Sequence, residues 1–360
     1  AVIIGREALR GATTSDADGT VAIGYQALTS TTSGAGNTAI GYNAGHELTT
    51  GHSNTFVGYE AGGDFDNGES NLVAIGRNAM GDADHDSTSA TVAVGVNALK
   101  GGSGYFVSAV AIGHDAMSNT NTRGVNGAIA IGRNAMDSTF GGGVTDCIAI
   151  GRDSMHHASN QLNGITGDIG IGYATLQSLT TGNNNIAIGT SALTAITNTS
   201  NMTAVGHEAG KSVNHNGAEG GTYVGYQSAK SLGSAPHTTA IGYQALYSSY
   251  ANGYNTAVGS QALYSATGLS NTAVGFQALR SLVSGTGNIG IGHEAGEHFG
   301  NGEIGNIAIG YEAMALADEG TAGGGTDYNV AIGYQALTMG DCASNDRNRQ
   351  GNIAIGAFAL

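Results

Sequence analysis

One short phrase recurs along the whole chain, and its period restricts the fold more than any other feature. In its fullest form it reads Asn-Thr-Ala-Ile-Gly-Tyr-Gln-Ala-Leu, as in the close copies at Asn37 to Ala44 and Thr239 to Leu246. Indexed on its glycine, it occurs 20 times between Gly5 and Gly356, at spacings of 16 to 23 residues. Self-similarity at such a period is the signature of stacked repeats, each too small to bury its own apolar face. Glycine supplies 62 of the 360 residues and proline one. That dilutes any ordinary globular core, and without a Gly-x-y period it excludes collagen.

The phrase is strict by position. The residue before the glycine is Ile or Val in all 20 copies, and the residue three before it is Val, Ile or Thr in all 20. The residue between them is Ala in 15 copies. Two β-branched residues around a small one is the period-2 pattern of a strand with one buried face. On this reading the β-branched face is buried, and the Ala/Gly face is open to close approach by a neighbour. The glycine ends the strand at a turn needing positive φ; Gly24, Gly41, Gly58, Gly242, Gly259 and Gly275 are clear cases.

Beyond the glycine, position +4 is usually Leu or Met. Where it is small (Gly45, Gly62, Gly210, Ala229, Gly296), a large apolar residue stands three further on (Leu48, Phe65, Val213, Leu232, Phe299). Residues three apart share a face in a helical turn, so the pattern predicts one short helical or 3₁₀ turn per coil. Asn recurs four before the glycine in nine copies, six of them consecutive from Asn255 to Asn352. Stacked, these make a ladder at the strand entrance.

The predicted fold is therefore an all-β parallel solenoid or β-roll, one continuous domain over residues 1–360 with no separate globular part. At about 4.8 Å per coil it would reach roughly 95 Å. A thin, Ala-rich coil buries few large side chains, so the Ala/Gly face is expected to be covered by other copies. Three chains about one axis is the simplest closed arrangement. The repeat runs into both ends, so copies could also stack end to end.

Charge and composition narrow the partners. A net charge of −15 opposes binding to phosphate backbones, so no nucleic-acid partner is expected. Apolar runs last only a handful of residues, so no membrane insertion is expected. Asp64, Asp66, Asn67 and Glu69 resemble the start of a calcium loop, with oxygen donors at alternate positions. Asp82, Asp84 and Asp86 do so too, and Asp16 with Asp18 faintly. The distal Glu of such loops is missing, so calcium is a candidate ligand and no other cofactor is indicated. His114, His207 and His293 share the variable slot after the glycine, and His156 and His157 are adjacent; neither arrangement has metal-ligand spacing. Cys147 and Cys342 lie about ten coils apart, roughly 48 Å, so no disulfide joins them. Tyr ladders such as Tyr25, Tyr42 and Tyr59, with Arg133 and Arg152, are candidates for sugar contact. No nucleophile, base and acid stand in an irregular concave context, so no enzyme is expected. Hexapeptide-repeat acyltransferases also use about 18 residues per coil, but they place an aliphatic residue at every sixth position, which this chain does not.

Val-Ala-Ile-Gly followed by Ala, at Val21 to Ala27 and Val330 to Ala336, resembles the head repeats of trimeric autotransporter adhesins. The longer form at Asn255 to Leu263 and Asn271 to Leu279 resembles repeats of bacteriophage tail fibres. The likeness covers nearly all of the chain. It implies a homotrimeric, left-handed β-roll or related solenoid, used as a shaft or adhesive surface outside the cell, on a virion or a cell. The coils are longer than the autotransporter pattern and no coiled-coil stalk follows, which favours the fibre. The function expected is a structural, adhesive fibre presenting loops to a host-surface glycan or protein receptor. A self-assembling extracellular filament subunit and the head of a bacterial surface adhesin are the alternatives.

Overall fold

The computed structural model describes residues 1–11, 17–83, 87–101, 104–119, 124–137, 141–157, 162–213, 219–248, 253–316, 326–338 and 350–360. The chain falls into two compact units, Ala1–Asn184 and Asn185–Leu360, and each is a parallel β-solenoid. In the first unit, ten three-residue strands, from Val2–Ile4 to Ile169–Ile171, pair in parallel along the sequence. Ten more, from Ile186–Ile188 to Ile353–Ile355, do so in the second. Like residues lie over like: Ile23 pairs with Ile40, and Ile40 with Val57.

The faces are the reverse of the sequence expectation. The middle residue points into the coil, and Ala22, Ala39 and Ala93 are completely buried. The β-branched neighbours point outward, Ile40, Ile112 and Ile241 each being 37–38% exposed. The Ala/Gly face is thus the lining of the coil and is closed to another copy. The reason is width. A strand of three residues leaves room for a methyl group, and the large filler comes from elsewhere, from Leu28, Leu99 or Met117 at position +4.

No helical turn follows the glycine; among the described residues there is no helix. Positions +2 and +4 both adopt left-handed backbone, as in Gln26 (φ 54°) and Leu28 (φ 53°). Such a conformation costs about 1–2 kcal/mol in an L-residue and is held here by bonds between coils. The Gln26 N–H donates to the Arg6 carbonyl (3.0 Å) and the Leu28 N–H to the Ala44 carbonyl (3.1 Å). Between them, N–H groups close tight turns within the coil, Thr29 onto Gln26 and Thr31 onto Leu28 (3.3 Å each). Left-handed +2 and +4 turn the +4 side chain inward, and +7 is a second inward position. Leu176 and Leu179 are both fully buried in one coil.

The third side is built in two ways. In some coils Asn stands four before the glycine and is buried. The Asn271 N–H donates to Asn255 Oδ1 (2.8 Å), and those of Asn288, Asn306, Asn329 and Asn352 repeat the bond at 2.9–3.0 Å. The Nδ2 groups of Asn255 and Asn271 donate to loop carbonyls of the next coil, Gly268 and Gly285 (2.8 Å each), whereas those of Asn329 and Asn352 donate back to Asn306 Oδ1 (3.2 Å) and Asn329 Oδ1 (2.9 Å). In the middle of the first unit Ala109, Ala128 and Cys147 replace Asn. There a small parallel sheet forms from Phe106–Val107, Val125–Asn126, Val144–Thr145 and Ile165–Thr166. Its buried Phe106, Val125, Val144 and Ile165 fill the space. Polar ladder and apolar sheet are alternative ways to satisfy the same side.

Two coils carry an aromatic residue in place of the central Ala, Phe56 and Tyr223, and both are fully buried. Around each, position +4 is small: Gly45 and Gly62 at Phe56, Gly210 and Ala229 at Tyr223. A β-carbon at Gly45 would stand 2.7 Å from the Phe56 ring, and one at Gly210 would stand 2.8 Å from the Tyr223 ring. The Tyr223 hydroxyl has no hydrogen-bond partner among the described residues. An unsatisfied buried hydroxyl costs about 1–3 kcal/mol. Tyr223→Phe is therefore expected to stabilise the protein by about 1 kcal/mol, read as a higher urea midpoint at unchanged slope.

Candidate functional site

Repetition turns each outward position into a ladder, and three ladders carry the surface chemistry. The first follows the glycine. Tyr25, Tyr42 and Tyr59 stack with centroids 5.2 Å apart, and Phe276, His293, Tyr311 and Tyr334 stack at 4.8–5.2 Å. His207 stacks on Tyr226 at 5.3 Å, and the Arg152 guanidinium lies 4.3 Å from the Tyr173 ring centre. Ring faces are spent on each other, so these ladders offer mainly ring edges to a ligand. Sugars pack on ring faces, and only the end of a ladder leaves one free. Tyr59 and Tyr311 each hydrogen-bond a neighbouring carboxylate, Glu60 and Glu312, which pushes the phenols up from their usual range.

The second ladder is at position +2. Gln227 donates to Glu208 Oε2 (2.8 Å), Gln244 to Gln227 Oε1 (2.9 Å) and Gln277 to Gln261 Oε1 (2.8 Å). The chain of amides ends on Glu208, which also takes Lys211 (2.6 Å) and Lys230 (2.7 Å). These bonds, Lys211 foremost, hold the Glu208 carboxyl down at about 2, against 4.5 for a free one. A depressed folded-state pKa means the stabilisation is complete above about 4.5 and is lost as pH falls toward 2. Glu208→Gln is expected to flatten the fall of Tm between those pH values and to leave Tm at pH 7 lower than wild type, measured by thermal melts across pH.

The third ladder is at +5, and in the first unit it joins the second to form a groove of about 430 Å³ lined by Asp82, Asn97, Lys100, Asp115, Ser118 and Asp137. It is concave because these coils carry short Asn, Asp and Ser where the second unit carries Gln, Lys and Tyr. Asn97 donates to Asp115 Oδ1 (2.9 Å) and Ser118 Oγ to Asp137 Oδ1 (2.7 Å). Lys100 Nζ lies 3.6 Å from Asp82. The Nδ1–H of His156 donates to the Asp137 carbonyl (2.7 Å). Ser118, Asp137 and His156 thus stand at one register of successive coils with the carboxylate in the middle. Serine and imidazole are two coils apart, about 10 Å, so the base cannot reach the hydroxyl.

The acidic residues singled out in the sequence do not converge. Asp66 and Asn67 are exposed and Asp64 is half-buried, while Glu69 is fully buried and accepts the Asn67 N–H (3.1 Å). Asp82 faces the groove; Asp16, Asp84 and Asp86 lie outside the described residues. Among the described residues no three His, Cys, Asp or Glu side chains are placed to hold a metal ion. Cys147 is buried, its thiol donates to the Thr145 carbonyl (3.3 Å), and burial pushes it up to about 12, out of reach of thiolate chemistry. Cys342 lies outside the described residues. No described helix is long and apolar enough to cross a membrane.

The fold and these ladders define a class, the parallel β-solenoid repeat proteins. No protein-family model and no curated protein matches this chain.

Proposed function

We propose that this chain is a structural, adhesive fibre subunit, in which the solenoid sets length and stiffness and the irregular loops make contact. The observation that carries this reading is where the polar groups go. Backbone amides of the strands and of corner positions such as Gln26 and Leu28, the Asn ladder and the Gln ladder bond along the coil axis, from one coil to the next. A continuous run of such bonds resists extension and denies proteases an extended segment. A β-solenoid is compatible with a fibre shaft, and the resemblance to tail-fibre and adhesin-head repeats supports placing it outside the cell, on a virion or a cell surface. Its partner there would be a glycan or protein of the host surface, met by the loops. The fibre reading is tested by electron microscopy of single particles with proteinase K digestion beside it. Narrow rods whose core survives digestion are expected; compact particles, or complete digestion, overturn it.

A further inference from the structure

The sequence Phe-x-Asn-Gly-Glu occurs twice, at Phe65 to Glu69 and at Phe299 to Glu303, at the same register of two distant coils. Both ends of it are pinned. Phe65, Glu69, Phe299 and Glu303 are fully buried. The Glu69 and Glu303 side chains accept the N–H groups of Asn67 (3.1 Å) and Gly300 (2.8 Å). Their backbone carbonyls accept the Nδ2 groups of Asn54 and Asn288 (2.7 Å each), which ties each loop to the Asn ladder. The Asn-Gly pairs between the pins, Asn67–Gly68 and Asn301–Gly302, are held out in solvent. Among the described residues the Gly68 and Gly302 N–H groups donate to no acceptor. An added β-carbon at Gly302 would meet nothing within 4 Å, and one at Gly68 only Thr50 Oγ1 at 4.0 Å.

A bare backbone nitrogen beside an asparagine amide is a reactive pair. Glycine leaves that nitrogen unshielded and its backbone free to turn, and asparagine is among the thermolabile residues. The glycine nitrogen attacks the side-chain amide carbon and closes a five-membered succinimide. The C–NH2 bond breaks, and ammonia leaves with the glycine proton. Water then opens the ring at either carbonyl, giving aspartate or isoaspartate, with no change of oxidation state. Two other described Asn-Gly pairs lack this freedom. The Gly127 N–H, after Asn126, donates to the Val107 carbonyl (3.0 Å). The Gly164 nitrogen, after Asn163, lies against Gly142 of the preceding coil, where an added β-carbon would come within 2.4 Å of it.

We propose that Asn67 and Asn301 are sites of spontaneous succinimide-mediated deamidation in the folded protein, and that conversion unpins their loops. Isoaspartate lengthens the backbone by one methylene between groups whose hydrogen bonds fix its length, and each event adds one negative charge. The full chain is incubated at mildly alkaline pH, folded and, in parallel, in guanidinium chloride. Peptide mass mapping reads the gain of one mass unit at each site. In the folded chain Asn67 and Asn301 are expected to convert about tenfold faster than Asn126 and Asn163, which must first open locally. In guanidinium the four rates are expected to come together. An Asn126 or Asn163 that keeps pace in the folded chain overturns the assignment. So does an Asn67 or Asn301 that stays intact there while it reacts in guanidinium. The unpinning is read in Tm. The wild type is expected to melt lower after incubation. Asn67→Gln with Asn301→Gln, whose longer side chains close a six-membered ring far more slowly, is expected to keep its starting Tm. A wild type that converts at both sites with its Tm unchanged overturns the unpinning.

Discussion

Replacing Gly41 by Ala is expected to cost more than about 4 kcal/mol, the range in which point mutations leave a domain unfolded at physiological temperature. Two effects combine. Gly41 has φ +148°, a region closed to side chains, and a β-carbon there would overlap the carbonyl oxygen of Gly58 in the next coil. The obstruction is backbone and belongs to the sheet, since the Gly58 N–H donates to the Ile40 carbonyl (2.9 Å). It cannot move without breaking the ladder. Gly356 has a similar φ of +125° but no atom within 4 Å of an added β-carbon. Gly356→Ala isolates the strain alone, about 1–3 kcal/mol. Thermal and urea unfolding of the pair measure the difference. Equal losses would mean that coils do not approach at the glycine and that the stacking is looser than described.

That comparison also shows what the sequence makes legible. A glycine at one register in every copy has to answer a backbone requirement, and both possible requirements, positive φ and close approach, turn out to apply. The strands, their in-register stacking and the Asn ladder follow from the same logic, since a repeated letter in a solenoid must meet itself. The orientation of the strand did not follow. A period of two says that Ile23 and Ala22 face opposite ways, but not which way is in. The habit of placing larger apolar residues inside fails when the cavity is one alanine wide. The corner departs from the expected helical turn for a related reason. Spacing of three between inward side chains fits a helical turn, but it fits left-handed +2 and +4 equally. Non-glycine residues such as Gln26 and Leu28 give no local sign of that conformation, because hydrogen bonds to neighbouring coils impose it. The groove near Lys100 depends on side-chain length across four coils, which a position-by-position reading does not add up.

The largest coupling in the core is expected between Phe56 and Gly62. Phe56→Ala alone removes a fully buried ring and should cost about 3–5 kcal/mol. Gly62→Leu alone should cost about 1–3 kcal/mol or more by overpacking, because a β-carbon at Gly62 would stand 2.6 Å from two Phe56 ring carbons. Together they recreate what eight of the 20 coils already have, a central Ala with Leu at +4, as in Ala22 with Leu28 or Ala257 with Leu263. Leu28 and Leu263 hold φ 53° and 49°, and Gly62 holds φ 60°, so the incoming Leu meets the backbone that its counterparts occupy. Phe65 at +7 stays, as Leu179 stays beside Leu176. The double variant should therefore be more stable than either single one, with an interaction term at the upper end of the roughly 0.5–3 kcal/mol seen for residues in contact. A double-mutant cycle in urea gives that term. Losses that simply add would show that the ring and the missing side chain do not share a space. The small +4 residues around Phe56 and Tyr223 would then need another cause.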